Sequence, residues 1–257
     1  MVLRRLSLAL LLSLFLVNSA LATDYAADAN CQGAWLFTEG SGITVADASQ
    51  NSNTGTFTAS SQPSWETATP SSAYSDDYVD FDAGEKIDAG NGATLQITGN
   101  NFSITCWAKA NSLSAYEGPF SKTDAGWIKG WGLYWFSDNT MRFYINHYGN
   151  SPALTAFTDT SGWHHWAGTY DDGRDSGSDV HIYLDGVIGG TKGSATALVD
   201  SGDICTMGTL RGYDWDGWVD ETAIFDSTLD STEINDIMDN GLSPVAAAAG
   251  QVIIMMN

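Results

Sequence analysis

The chain has 257 residues, 31 acidic against 10 basic side chains, and a formal net charge of −21. That balance argues against nucleic acid and anionic lipid as partners, both of which need clustered Lys and Arg. It leaves many oxygen ligands for hard cations and keeps an exported protein soluble.

The opening reads as a secretory signal peptide over residues 1–22. Arg4 and Arg5 precede an apolar run, and Ala20-Leu21-Ala22 is an A-x-A cleavage pattern. The run is too short and wrongly flanked for a lasting membrane helix. The expected product is an extracellular chain starting near Thr23, about 235 residues long, enough for one large all-β domain. Losing Arg4 and Arg5 takes the charge from −21 to −23. Export permits disulfides, so Cys31, Cys106 and Cys205 predict one bridge and one buried thiol, with the pairing open.

Short alternating segments follow. Residues 59–77, rich in Ser, Thr and Pro, read as a long loop. Over residues 102–109, Phe102, Ile104, Cys106 and Ala108 share one face of a strand. Residues 141–146 alternate likewise after the turn signal Asp138-Asn139. Residues 180–184 lead into Asp185-Gly186, a pair suited to the positive φ angles of a tight hairpin. One helix is predicted, with a capping box at Asp230 and Glu233, a stripe of Ile234, Ile237 and Met238, and Gly241 as its stop. It is expected to pack on the sandwich edge. The fold class is therefore all-β, a jelly-roll sandwich of two antiparallel sheets with one short C-terminal helix. The domain is assigned to residues 23–242, with a tail over 243–257. That tail reads as a loose arm; the alternative is a strand over 252–256 that docks on a partner's sheet edge.

His164 and His165 stand in "WHHWAGTYDDG". On a strand they leave on opposite faces and cannot share one ion, so both read as strand histidines. Here a family resemblance emerges. "WHHWAGTYDDG" followed by "VHIYLDGV" resembles the central hairpin of the LamG-like jelly-roll family, within the concanavalin A-like lectin/glucanase superfamily. "AWLFTEGSG", "VADASQNSNTGT", "YVDFDAGEKIDAG", "FSITCWAKA" and "GWVDETAIFDSTLDSTEI" are similar to other family segments in the expected order, over roughly residues 30–242. Gln50 and Ser52 stand where the family has glycine, which bears on the loop's backbone angles.

A structural calcium is the candidate cofactor. Asp47, Ser49, Asn51 and Asn53 offer oxygens at alternate positions of one loop, and calcium takes six to eight. The resemblance implies that Asp220 of the closing strand completes the site. The run over residues 171–179 lacks an acidic residue at the twelfth position, where Ile182 stands, and reads as a solvated hairpin loop.

For ligand binding, aromatic rings beside carboxylates suit a sugar, with C–H patches against a ring and hydroxyls against acceptors. Trp127 and Trp131 fall in "GWIKGWGLYWF", Tyr213 and Trp215 in "GYDWDGW". Trp215, in a Gly- and Asp-rich loop, is the leading exposed candidate. Trp135 reads as core. No catalytic residue is assigned: none of the six glutamates begins the paired-carboxylate strand of the superfamily's hydrolases. The expectation is a secreted, non-catalytic recognition module for a glycan or glycoconjugate. The alternatives are a structural or adhesion protein working through protein contacts and a divergent glycosidase.

Overall fold

The computed structural model describes residues 23–58, 62–67, 77–149, 152–173, 180–193 and 196–243. The expected signal peptide over 1–22, the tail from 244 onward on which the alternative of a docking strand over 252–256 falls, and residues 174–179 of the acidic run lie outside these residues.

The first half holds β1 (Cys31–Trp35), β2 (Thr44–Val45), β3 (Gly55–Phe57), β4 (Ser64–Glu66), β5 (Tyr78–Phe81), β6 (Ile87–Gly90) and β7 (Asn101–Ala110). Next come β8 (Phe120–Thr123), β9 (Gly130–Phe136), β10 (Thr140–Ile145), β11 (Ala153–Ala156), β12 (His164–Asp171) and β13 (Val180–Leu184). The chain closes with β14 (Val187–Lys192), β15 (Cys205–Met207), β16 (Thr209–Leu210), β17 (Tyr213–Asp214), β18 (Gly217–Phe225) and α1 (Ser231–Asn240). The expected loop over 59–77 is thus corrected in its described part, since Trp65 and its neighbours form β4 against β5.

Two antiparallel sheets result. The first runs β14-β13-β12-β7-β18-β5-β4, with β1 also paired to β18. The second runs β11-β10-β9-β8-β15-β6-β3-β2. Alternation decides which side chains meet between them. From β7 come Phe102, Ile104, Cys106 and Ala108, as the pattern predicts, and they pack with Leu133 and Trp135 of β9 and Phe143 of β10. Asp185 (φ 50°) and Gly186 (φ 73°) supply the hairpin turn between β13 and β14.

The helix has its capping box: the Asp230 carboxylate accepts from the amides of Thr232 and Glu233, and Glu233 accepts from the amide of Asp230. It lies on a face and not an edge. Ile234 and Ile237 pack with Ala34, Ala167, Ala223 and Phe225 on the outside of the first sheet, where small alanines leave room for it. No helix among the described residues is long and apolar enough to cross a membrane.

All three cysteines are buried free thiols, so the predicted bridge is not formed. Cys31 packs beneath α1. Cys106 and Cys205 enter the central core from β7 of one sheet and β15 of the other. Burial raises all three thiols, Cys31 to about 12, which keeps them protonated and unreactive.

Candidate functional site: an aromatic cleft beside a hairpin

The outer face of the second sheet carries the candidate site. Tyr134 of β9 and Tyr144 of β10 point outward and meet Leu210 of β16. Gly132 makes this contact possible, because a Cβ there would lie 2.7 Å from the Tyr144 ring and 2.9 Å from Leu210 Cδ1. The small hairpin β16-β17 therefore rests on the sheet and divides its outer face. Its turn, Arg211 (φ 55°) and Gly212 (φ 87°), has both central residues in the left-handed region that such two-residue turns require.

Alternation along β17 sends Tyr213 to one side of the hairpin and Asp214 to the other. On the Tyr213 side lies a cleft of about 280 Å³ lined by Tyr116, Gly126, Trp127, Tyr148 and Tyr213. Its rings meet edge to face: Trp127 to Tyr213 at 5.4 Å, Trp127 to Tyr148 at 5.0 Å and Tyr116 to Trp127 at 5.4 Å. Tyr213 is 45% exposed, and the other three rings are half-buried. Such a cleft presents several π faces with phenolic hydroxyls at its rim, a surface for stacking and hydrogen bonding. No carboxylate lines it.

On the other side lies a polar cleft of about 370 Å³, lined among others by Lys86, Thr123, Arg211 and Asp214. Asp214 is fixed there, accepting from Thr209 Oγ1 (2.9 Å) and from the amide of Gly84 (2.8 Å).

Two of the four predicted ligand residues thus come together, and two do not. Trp127 and Tyr213 share the aromatic cleft. Trp215 is corrected: only 1% exposed, it plugs the core, because its amide donates to the carbonyl of Gly208 and draws the chain inward. Trp131, 2% exposed, is also core, facing Phe102 and Phe120 on the inner side of β9. Trp135 is core as expected. Tyr116 and Tyr148 escaped the sequence reading because each is a single aromatic residue in a loop remote from "GYDWDGW".

The loop expected to hold calcium closes on itself. Asp47 Oδ1 accepts from the amides of Ala34 and Ser49 at 2.9 Å, and Oδ2 accepts from the amide of Asn53 at 2.6 Å. Ser49 Oγ accepts from the amide of Asn51. The side-chain Nδ2 groups of Asn51 and Asn53 donate to the carbonyls of Cys31 and Gln32, tying the loop to β1. Of the two departures from glycine, Ser52 takes the left-handed conformation (φ 61°). Asp47 and Ser49 thus accept from backbone amides, while Asn51 and Asn53 use their side-chain nitrogens as donors.

Asp220 comes from the closing strand. Completely buried on β18 opposite Trp107 of β7, it accepts from the amide of Glu221 through Oδ1, while Oδ2 has no hydrogen-bond partner among the described residues. Burial, then the charges of Glu221 and Asp77, push its carboxyl well above the usual range. Glu221, at a bulge with φ 46°, is pushed up to about 7 by burial and accepts from the amide of Leu242.

The histidines separate as their strand demands. His165 is buried against Trp107, and burial lowers it to about 4. His164 meets Asp185 at 2.9 Å and Asp159 at 3.4 Å, which raise its pKa.

A family model described as the concanavalin A-like lectin/glucanases superfamily matches residues 74–235. The chain belongs to this superfamily. Among solved structures, this superfamily member is similar to domain 4 of AbnA, a GH43 extracellular arabinanase of Geobacillus stearothermophilus, solved in complex with arabinotriose. There the identity is 16%, the TM-score 0.64, and the match covers 82% of this chain and 98% of that one. It is similar to the binding domain of botulinum neurotoxin serotype G at 14% identity and TM-score 0.58, covering 81% of this chain and half of that one. Trypanosoma rangeli sialidase matches at 13% identity and TM-score 0.56, covering 80% of this chain and 32% of the enzyme. No curated protein sequence matches the chain. At these identities the shared feature is the superfamily's fold, a scaffold common to binding domains and hydrolases alike.

Proposed function

We propose that this superfamily member is an exported, non-catalytic carbohydrate-binding module whose ligand stacks in the cleft of Tyr116, Trp127, Tyr148 and Tyr213. The observation that carries this reading is that cleft: half-buried rings held edge to face on a rigid sheet, open to solvent, beside a hairpin with polar side chains. Ligand pockets run from roughly 300 Å³ upward, so a cleft of this size suits one sugar ring. The arabinotriose bound to the similar arabinanase domain supports an oligosaccharide as the ligand class. The aromatic cleft is lined by no carboxylate, and the polar one by Asp214, with both oxygens engaged. Export rests on the pattern over residues 1–22.

Calcium enters the proposal only at Asp220. An unpartnered, buried carboxylate oxygen with a second carboxylate charge nearby is the sort of donor a hard cation satisfies. There it would stiffen the closing strand and take no part in the ligand cleft.

A second reading has its own observation. Edge strands β11 and β14 lie side by side and expose Leu154, Val187 and Ile188, the last two being successive residues of one strand. Exposed apolar side chains along two neighbouring strand edges suit protein contact. A glycan array separates the two. Binding by the wild-type chain that is lost in Trp127→Ala supports the module, whereas silence combined with concentration-dependent oligomers supports assembly.

A further inference from the structure

The two clefts flank one hairpin only two strands wide, and they differ in chemistry. In the polar cleft the strong acceptors are already committed. Asp214 takes one bond on each oxygen, and the carbonyl of Thr209 receives the hydroxyls of Ser121 (2.8 Å) and Thr206 (3.2 Å). The donors are in surplus. Lys86 is half-buried and has no ion-pair or hydrogen-bond partner among the described residues, in a chain where acids outnumber bases three to one. Arg211 gives one nitrogen to Asp203 at 3.1 Å and keeps the rest of its five N–H groups. Arg211 also occupies a left-handed turn position that Asn or Gly would fill more easily, so the guanidinium is placed at the cleft against the backbone preference.

A neutral sugar hydroxyl both gives and takes hydrogen bonds, whereas a carboxylate only accepts. A cleft with spare cationic donors and engaged acceptors is matched to the second. We propose that the polar cleft is a second subsite, which takes the carboxylate of an acidic sugar residue next along the chain from the sugar stacked on Trp127 and Tyr213. This rests on the module reading above and narrows its ligand to an oligosaccharide carrying isolated carboxylates. A dense polyanion is disfavoured by the net charge of −21.

The test uses matched oligosaccharides, each as the uronic acid, as its carboxyl-reduced alcohol and as a sulfated form of the alcohol, titrated calorimetrically at physiological salt. The uronate should bind at least tenfold tighter than the alcohol. The double variant Lys86→Met and Arg211→Asn, in which Asn tolerates the turn, should bring the uronate down to the level of the alcohol. Trp127→Ala should lose all members alike. Equal affinity of uronate and alcohol, a preference for the sulfated form alone, or a uronate preference that survives the double variant overturns the subsite and leaves the module reading standing. If no member binds, both fall. A separate titration with glucuronate alone, followed through the side-chain nitrogen resonances of Lys86 and Arg211, reads the subsite directly: those resonances should move with glucuronate and not with glucose, and their indifference overturns it.

Discussion

At Glu221, burial sets a pH dependence whose sign can be worked out. The unfolded chain releases this proton near 4.5 and the native one near 7, so between those values only the native state holds it. Stability from this group is present below pH 4.5 and is lost as pH rises to 7, up to about 3 kcal/mol for such a shift. His165 does the reverse: released near 6.5 when unfolded and near 4 when native, it costs stability as pH falls from 6.5 to 4. The two slopes oppose one another. Glu221→Gln, which keeps an acceptor for the amide of Leu242, should raise the melting temperature at pH 8 and change it little at pH 4.5. A difference of equal size at both pH values would refute the assignment. Asp220 gives a parallel case. Calcium should raise the melting temperature of the wild-type chain and not of Asp220→Asn, and an equal rise in both would remove calcium from this position. At this scale the sequence was a partial guide. Tyr213 and Trp127 could be picked out as members of aromatic clusters, but the Gly- and Asp-rich setting misplaced Trp215. Composition marks a turn, while the direction of one ring depends on which carbonyl its backbone meets, here that of Gly208.

Among the elements, period-two alternation made the strands legible wherever one face is apolar, as in β7 and β10, and the capping residues made α1 legible to the residue. Two kinds of element were not. β4 and the pair β16-β17 are two or three residues long, too short for any period to show. Their positions come from tertiary contacts: Trp65 stacks on Phe57 at 5.7 Å, and Leu210 seats in the gap above Gly132. At the Asp47 loop, expected to hold calcium, alternating oxygens look the same in sequence whether they meet a cation or backbone amides, as Asp47 and Ser49 do here. The helix cap supplies the prediction here. Asp230→Ala removes acceptors for the amides of Thr232 and Glu233 and should cost about 1 kcal/mol in urea unfolding. A loss no larger than the experimental error would mean that packing on the alanine-lined outer sheet alone holds α1.

For the molecule as a whole, the sandwich gives each surface a different character. Part of the outer face of the first sheet is covered by α1, while that of the second carries the β16-β17 hairpin that divides it. Fold membership was readable from six short segments in order, because the superfamily's strands keep their spacing. The location of the binding face was not, since it depends on which sheet the helix covers. In the proposed module the ligand would meet a wall of four rings gathered from loops and a strand far apart in sequence. The indole N–H spectrum of the nitrogen-labelled chain tests this most directly, because only one of the ten tryptophans, Trp127, lines the aromatic cleft. Titration with an oligosaccharide hit from the array should shift the Trp127 resonance and leave those of buried Trp131 and Trp215 in place. A saturable shift confined to tryptophans of the other sheet, such as Trp163 and Trp218, with Trp127 unmoved, would contradict it.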